Sequence, residues 1–283
     1  MFSLRGLLGR GGGDEKASNA PVAGDVSLQV SHASEHDVDD DSRRARVVQR
    51  QFLPTIPALA RWEIAYAYHP CDAVGGDLLD ILEMEDGRVL CVVGDVSGHG
   101  TQGALIATTL RKSLRSLLDR VESLADLIVN LNEDMRQDCI PGQFFTAFFA
   151  LIEPTTGRLV YSCAGHHSAL LIDPSGPVHL RRLMASGMAI GVARSADLAQ
   201  RLTMRETTLP VGSSLVVYTD GVNEARNAAE EEFSEERVMG SLLVSSRGSM
   251  QQQVDALFDE AVAFANGEQD DDITVLGIRR LEG

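Results

Sequence analysis

Residues 78–95 read LLDILEMEDGRVLCVVGD, and the fold is decided there. Two apolar runs, Leu78–Met84 and Arg88–Asp95, flank the turn signal Glu85-Asp86-Gly87, the pattern of an antiparallel hairpin. The second run ends on Gly94-Asp95, and the period then changes. From about Gly100 to Arg120 a helical repeat runs through Ala104, Ala107, Leu110, Leu114 and Leu117 and on to Val121. A carboxylate therefore stands where a buried strand hands over to a helix.

Upstream, RWEIAYAY (61–68) alternates strictly, with Trp62, Ile64, Tyr66 and Tyr68 on one face, and predicts a half-buried strand. Downstream, a second helix is expected over Ser123–Asp138. FFTAFFALIE (144–153) and RLVYSCAG (158–165) then flank the turn Pro154-Thr155-Thr156-Gly157. ALLID, PVHLRRL and a strand at about 201–209 continue the meander, and SLVVYTDG (214–221) ends it on another acidic turn. Two helices at about 234–245 and 249–265 precede the last strand, ITVLGIRR (273–280). Hairpin-linked strands interrupted by helix pairs point to an α/β fold of stacked antiparallel sheets, not to alternating βαβ units.

The N-terminal stretch differs in character. Residues 1–41 hold Gly11-Gly12-Gly13 and many small or acidic residues, and are expected to be a disordered tail. Residues 42–57 are expected to be a linker helix. Val47, Val48, Phe52 and Leu53 form its apolar stripe, and Pro54 and Pro57 stop it. As an ordinary packing helix it needs no function; as a regulatory segment, Val48, Phe52 and Leu53 are its contact residues. Residues 58–283 form the main domain.

Composition narrows the function. The net charge of −16 argues against nucleic acid and membrane surfaces as partners. No apolar run reaches the roughly 18 residues that span a bilayer. Cys71, Cys91, Cys139 and Cys163 make no paired motif, which fits a reducing cytoplasm.

Four acidic sites share one context: Gly75-Gly76-Asp77, Gly94-Asp95, Thr219-Asp220-Gly221 and Asp270-Asp271-Asp272. Each sits where a strand meets a turn. Alone, each is a turn signal or a solvated loop. Together they suit a metal centre, because clustered carboxylates repel unless cations neutralise them. Oxygen donors without His or Cys select Mg²⁺ or Mn²⁺, and two such ions can direct a water at phosphorus.

The motifs GGDLLDI, GDVSGHGTQGALIA, AGHHSALLI, YTDGVNEA and DDITVLGI occur in this order. Over about residues 58–281 they resemble the bacterial SpoIIE/RsbU-like branch of the PPM phosphatases, the metal-dependent relatives of type 2C enzymes. The resemblance implies an α-β-β-α sandwich and a protein serine/threonine phosphatase using two Mn²⁺ or Mg²⁺ ions. It makes Asp95 the bridging ligand, adds the Val96 carbonyl, places Asp77 on one ion, and completes the other shell with Asp220 and Asp271, or Asp272 in its place. Asp95 and Asp220 are the catalytic pair. The type 2C pattern has a histidine two residues after the bridging aspartate, whereas this chain has Ser97. The leaving group's proton then comes from His99 or from a metal-bound water. His166 and His167 are expected to be structural.

The resemblance further implies a phosphoprotein substrate of STAS-domain type, an activating partner protein and a homodimer through the linker helix. The alternative is an inactive phosphoprotein-binding regulator of the same fold.

Overall fold

The apolar runs pair antiparallel and sort into two sheets. The computed structural model describes residues 35–98, 100–138, 142–175, 179–267 and 269–282. In chain order the elements are α1 (Glu35–Arg50), β1 (Trp62–His69), β2 (Leu78–Glu83), β3 (Val89–Val96), α2 (Gly100–Leu118) and α3 (Leu124–Asp138). They continue with β4 (Phe145–Glu153), β5 (Arg158–Ala164), β6 (Ala169–Ile172), β7 (Leu180–Leu183), α4 (Ser195–Arg201) and β8 (Arg205–Thr208). The chain closes with β9 (Ser214–Tyr218), α5 (Asp220–Asn223), α6 (Ser234–Ser245), α7 (Met250–Phe264) and β10 (Ile273–Arg280).

One sheet has the order β1-β10-β9-β6-β7, the other β2-β3-β4-β5-β8. Three apolar layers hold the stack together. Leu110, Leu114, Leu127, Ile128 and Leu131 of α2 and α3 pack on Leu90, Val92 and Phe149 of the second sheet. Trp62, Leu79, Cys91, Phe148, Leu171 and Leu276 fill the space between the sheets. Val238, Leu242, Val254 and Leu257 of α6 and α7 cover the first sheet. The expected α-β-β-α sandwich is the observed fold, and the two hairpins around residues 78–95 and 145–164 form four successive strands of the second sheet, with β2 at its edge.

Local departures have physical causes. Strand β1 is covered on both faces. Trp62, Ile64 and Tyr66 enter the inter-sheet layer, while Ala65 and Ala67 are small enough for α7 to lie against the other face. The expected strand at 201–209 is shorter, because Leu198 draws residues 195–201 into α4 by burying itself beside α3. What remains, β8, is an edge strand, and there Glu206 forks onto Arg158 at 2.7 Å.

Helix α1 begins at Glu35, seven residues before the expected Ser42, and ends at Arg50. Its expected apolar stripe is not one face. Val47 and Val48 are exposed, whereas Phe52 and Leu53 lie past the helix end in a turn and line a cavity. The remainder of the expected tail, residues 1–34, lies outside the described residues.

Phe149 is fully buried between the second sheet and its helices. Phe149→Ala is expected to lower stability by about 3–5 kcal/mol through lost transfer energy and a residual cavity. Urea unfolding checks this; a loss under about 1 kcal/mol would show that the layer collapses to fill the gap.

Candidate active site

Strand β10 starts beside the loop that leads into β2, and one carboxylate joins them. Asp272 is buried, and its Oδ1 accepts the Cys71 N–H at 2.8 Å. Its Oδ2 accepts the N–H groups of Gly76 at 2.6 Å and Asp77 at 3.3 Å. Glycine is needed beside it. A Cβ on Gly75 would stand 2.2 Å from Asp272 Oδ2, and one on Gly221 would stand 2.1 Å from the Asp272 carbonyl oxygen.

Asp77 is gripped from the opposite sheet. Its Oδ2 accepts the hydroxyls of Thr219 at 2.8 Å and Thr274 at 2.5 Å. Thr219 follows β9 and Thr274 belongs to β10, so the ends of two strands in the first sheet hold a residue that opens the second.

Asp95 stands at the end of β3, opposite Thr146 of β4. The Val96 carbonyl and the loop 75–77 approach closely: a Cβ on Gly76 would come within 3.2 Å of the Val96 oxygen. Asp220 is the first residue of α5, directly after the Thr219 that binds Asp77. Asp271 immediately precedes Asp272 and accepts its N–H on Oδ1 at 2.8 Å.

These carboxyl groups act on one another. Burial, followed by the charges of Asp220, Asp271 and Asp272, pushes Asp95 up to about 8, partly offset by the Val96 N–H. Burial pushes Asp271 up to about 6; the Asp272 N–H opposes this, and Asp220, Asp272 and Glu224 add to it. Asp77 lies well above the usual carboxylate range through burial and the charges of Asp272 and Asp95, against the two threonine donors.

The donor set is all oxygen and carries excess negative charge, which suits hard divalent cations. Among the described residues, no three His, Cys, Asp or Glu side chains stand grouped so that they could hold an ion by themselves. Mg²⁺ does not require such a group, since it keeps several waters and takes one or two carboxylates directly.

The structure therefore gathers Asp77, Asp95, Val96, Asp220, Asp271 and Asp272 at one end of the sandwich, but gives them different work. Asp272 uses both oxygens on main-chain N–H groups, whereas the hydrogen bond to Asp271 engages only Oδ1. His99 lies outside the described residues. Phe52 and Leu53 line a cavity with Gln49, Asp77 and Arg111 beside the site, while Val48 faces solvent. Thr219, Thr274 and Gln49 had not been singled out. Both threonines adjoin the acidic turns in sequence, which is the signal that was available.

The sandwich is the fold of the PP2C-type phosphatase domains. The family model for Stage II sporulation protein E (SpoIIE) matches residues 85–281, and the chain belongs to that family. The chain is 26% identical over 272 aligned positions to Protein IcfG of Synechocystis sp., covering 84% of this chain and 41% of that protein. It is 28% identical over 183 positions to the phosphoserine phosphatase RsbP of Bacillus subtilis, covering 63% and 44%. The chain thus spans under half the length of these two relatives. In fold, it is similar to the SiaA-PP2C domain of Pseudomonas aeruginosa, with a TM-score of 0.75 at 23% identity over 88% of this chain and 99% of that one.

The charge crowding sets a pH dependence. Asp95 titrates at about 8 when folded and near 3.9 when unfolded. Its contribution to stability is full below about pH 4 and is lost as pH rises through about 8. In a chelator, the melting temperature is expected to fall between about pH 6 and about pH 8, and Mn²⁺ is expected to restore more of it at the higher pH. A melting temperature that rises over that interval without metal would contradict the assigned crowding.

Proposed function

We propose that the chain hydrolyses phosphoserine or phosphothreonine on a signalling protein, with a phosphorylated STAS domain as substrate. The observation that carries this reading is the convergence of Asp95, Asp220 and Asp271, in which burial and then the charge of Asp220 raise the Asp95 and Asp271 carboxyl groups. The name of the relative RsbP, a phosphoserine phosphatase, supports the same reading.

In this reading Asp95, the Val96 carbonyl, Asp77, Asp220 and Asp271 would hold Mn²⁺ or Mg²⁺. Asp272 holds the loop 71–77 in place through its three main-chain partners. When bound, the ions acidify the attacking water and offset charge on the transferring phosphoryl group. The chain's own residues keep the acceptor oxygens in place: Thr219 and Thr274 fix the Asp77 carboxyl, and the β3–β4 pairing fixes Asp95.

The test is a phosphatase assay on phosphorylated STAS-domain protein with Mn²⁺ titrated in. Asp95→Ala and Asp220→Ala are each expected to lower kcat by at least about a hundredfold with melting curves that stay cooperative. Turnover near that of the unaltered protein in either variant would show the ligand assignment to be wrong. A folded protein that binds the phosphoprotein without hydrolysing it would favour the non-catalytic regulator.

The segment 42–57 is proposed as the input, with an activating partner or a second copy acting through Val48, Phe52 and Leu53. Supporting this, Gln49 binds Gly75 in both directions, Nε2 to the carbonyl at 2.7 Å and Oε1 from the N–H at 3.1 Å. Gly75 is two residues from Asp77. Gln49→Ala is expected to raise the Mn²⁺ concentration for half-maximal activity by about threefold to tenfold. An unchanged metal requirement would remove α1 from the regulation.

A further inference from the structure

We infer that His166, seconded by His167, is a positioning residue that sets the separation between the strand ends carrying Asp95 and Asp220. The inference rests on the metal-dependent phosphatase reading.

The two histidines follow Gly165, in the connection from β5 to β6. Gly165 has φ +74°, and a Cβ there would meet the Ala189 nitrogen at 2.8 Å, so the turn admits only glycine. His166 Nε2 lies 3.0 Å from the Tyr218 carbonyl oxygen, and His167 Nε2 lies 2.9 Å from the same atom. The rings stack at 4.4 Å. On its other side, His166 Nδ1 lies 3.1 Å from Thr146 Oγ1.

The partners determine the tautomer. A carbonyl only accepts, so each Nε2 carries a proton. Burial pushes His166 down to about 3, which keeps it neutral. Its Nδ1 then accepts the Thr146 hydroxyl. Both nitrogens are occupied, so His166 is neither a metal ligand nor a proton donor to substrate.

What it joins is specific. Thr146 faces Asp95 across β3 and β4, in the second sheet. Tyr218 ends β9 in the first sheet, two residues before Asp220. One imidazole thus spans the sheets, from the cross-strand partner of Asp95 to the residue two before Asp220. The Tyr218–Thr219 peptide is held on both edges, since its N–H donates to the Thr274 carbonyl at 3.0 Å. Two imidazoles occupy the carbonyl's two lone pairs and leave it no alternative partner.

Direct Mn²⁺ binding, measured by calorimetry alongside thermal unfolding, tests the inference without relying on turnover. His166→Ala is expected to weaken Mn²⁺ binding by about 10- to 100-fold, and His166→Gln, which keeps a donor toward Tyr218, to stay within about threefold. Thr146→Val keeps the side-chain shape but frees Nδ1, and is expected to weaken binding by about threefold to tenfold. Asn132→Ala is the control. Asn132 is buried in α3 and bonds Ala193, Ser195 and Gly191, so its loss should lower the melting temperature and leave Mn²⁺ affinity unchanged.

Full affinity in a folded His166→Ala protein would overturn the inference. If that variant does not fold, Thr146→Val decides, and unaltered affinity there overturns it equally. A matching loss of affinity in Asn132→Ala would show that binding follows stability and not this contact. An unaltered protein that binds no Mn²⁺ would overturn the metal reading itself, and the positioning role with it.

Discussion

Asp272 is buried, and its carboxyl group accepts three main-chain N–H groups of the loop 71–77. That contact ties the entry of β2 in one sheet to the entry of β10 in the other. Hydrogen bonds of this kind contribute about 1.5–3 kcal/mol each where the acceptor is charged, and removing the acceptor takes the partner from all three donors, two of them buried. The rest of the acidic end is built on this stitch. Asp77 is presented by the same loop, and its own carboxyl is caught by Thr219 and Thr274 of the facing sheet. Glycines at 75 and 221 are the steric condition for it, since any side chain there would displace Asp272.

The stitch works against electrostatics. Asp95 and Asp271 are raised by burial and then by the acidic neighbours that the fold brings near them, so the arrangement is unfavourable for the ionised groups without a cation. Apolar packing offsets that cost some distance away. Phe145, Phe148 and Phe149 of β4 are fully buried, and β4 is the strand on which β3, and therefore Asp95, is registered. A well-packed strand pair thus ends in a rim of crowded carboxylates, held in place by the stable interior behind it.

Much of this was legible in the residues. Strands with alternating or continuous apolar runs, helices with three- and four-residue repeats, and carboxylates at the junctions lie close to where they were read; α6 and α7 match to within a residue or so. Asp271 and Asp272 could not be separated, because a shift of one residue at the start of β10 reverses which side chain turns inward, and nothing local fixes that register. Thr219 and Thr274 passed as ordinary strand residues, since β-propensity explains a threonine without its hydroxyl. The same holds for α1. Apolar Val47 and Val48 suggested a buried stripe, but the helix docks through Arg46 and Gln49, polar side chains whose targets are main-chain atoms 26 or 27 residues away. No periodicity announces such a partner.

The docking of α1 differs in kind from the contacts that hold the sandwich. Arg46 reaches the carbonyls of Ala73 and Asp72 at 2.9 and 3.0 Å from an exposed position, and Gln49 is only part-buried. Exposed hydrogen bonds exchange readily with water and contribute little net stability. Beyond the helix, Phe52 lies against the Arg111 guanidinium at 5.6 Å, and Arg111 in turn approaches Asp80, which Arg115 already holds by two bonds of 2.8 and 2.7 Å. The loop bearing Asp77 thus has two very different attachments. The inner one, Asp272, is buried and exacting. The outer one is shallow: exposed or part-buried hydrogen bonds from Arg46 and Gln49 reach Asp72, Ala73 and Gly75, the last of which is two residues from Asp77.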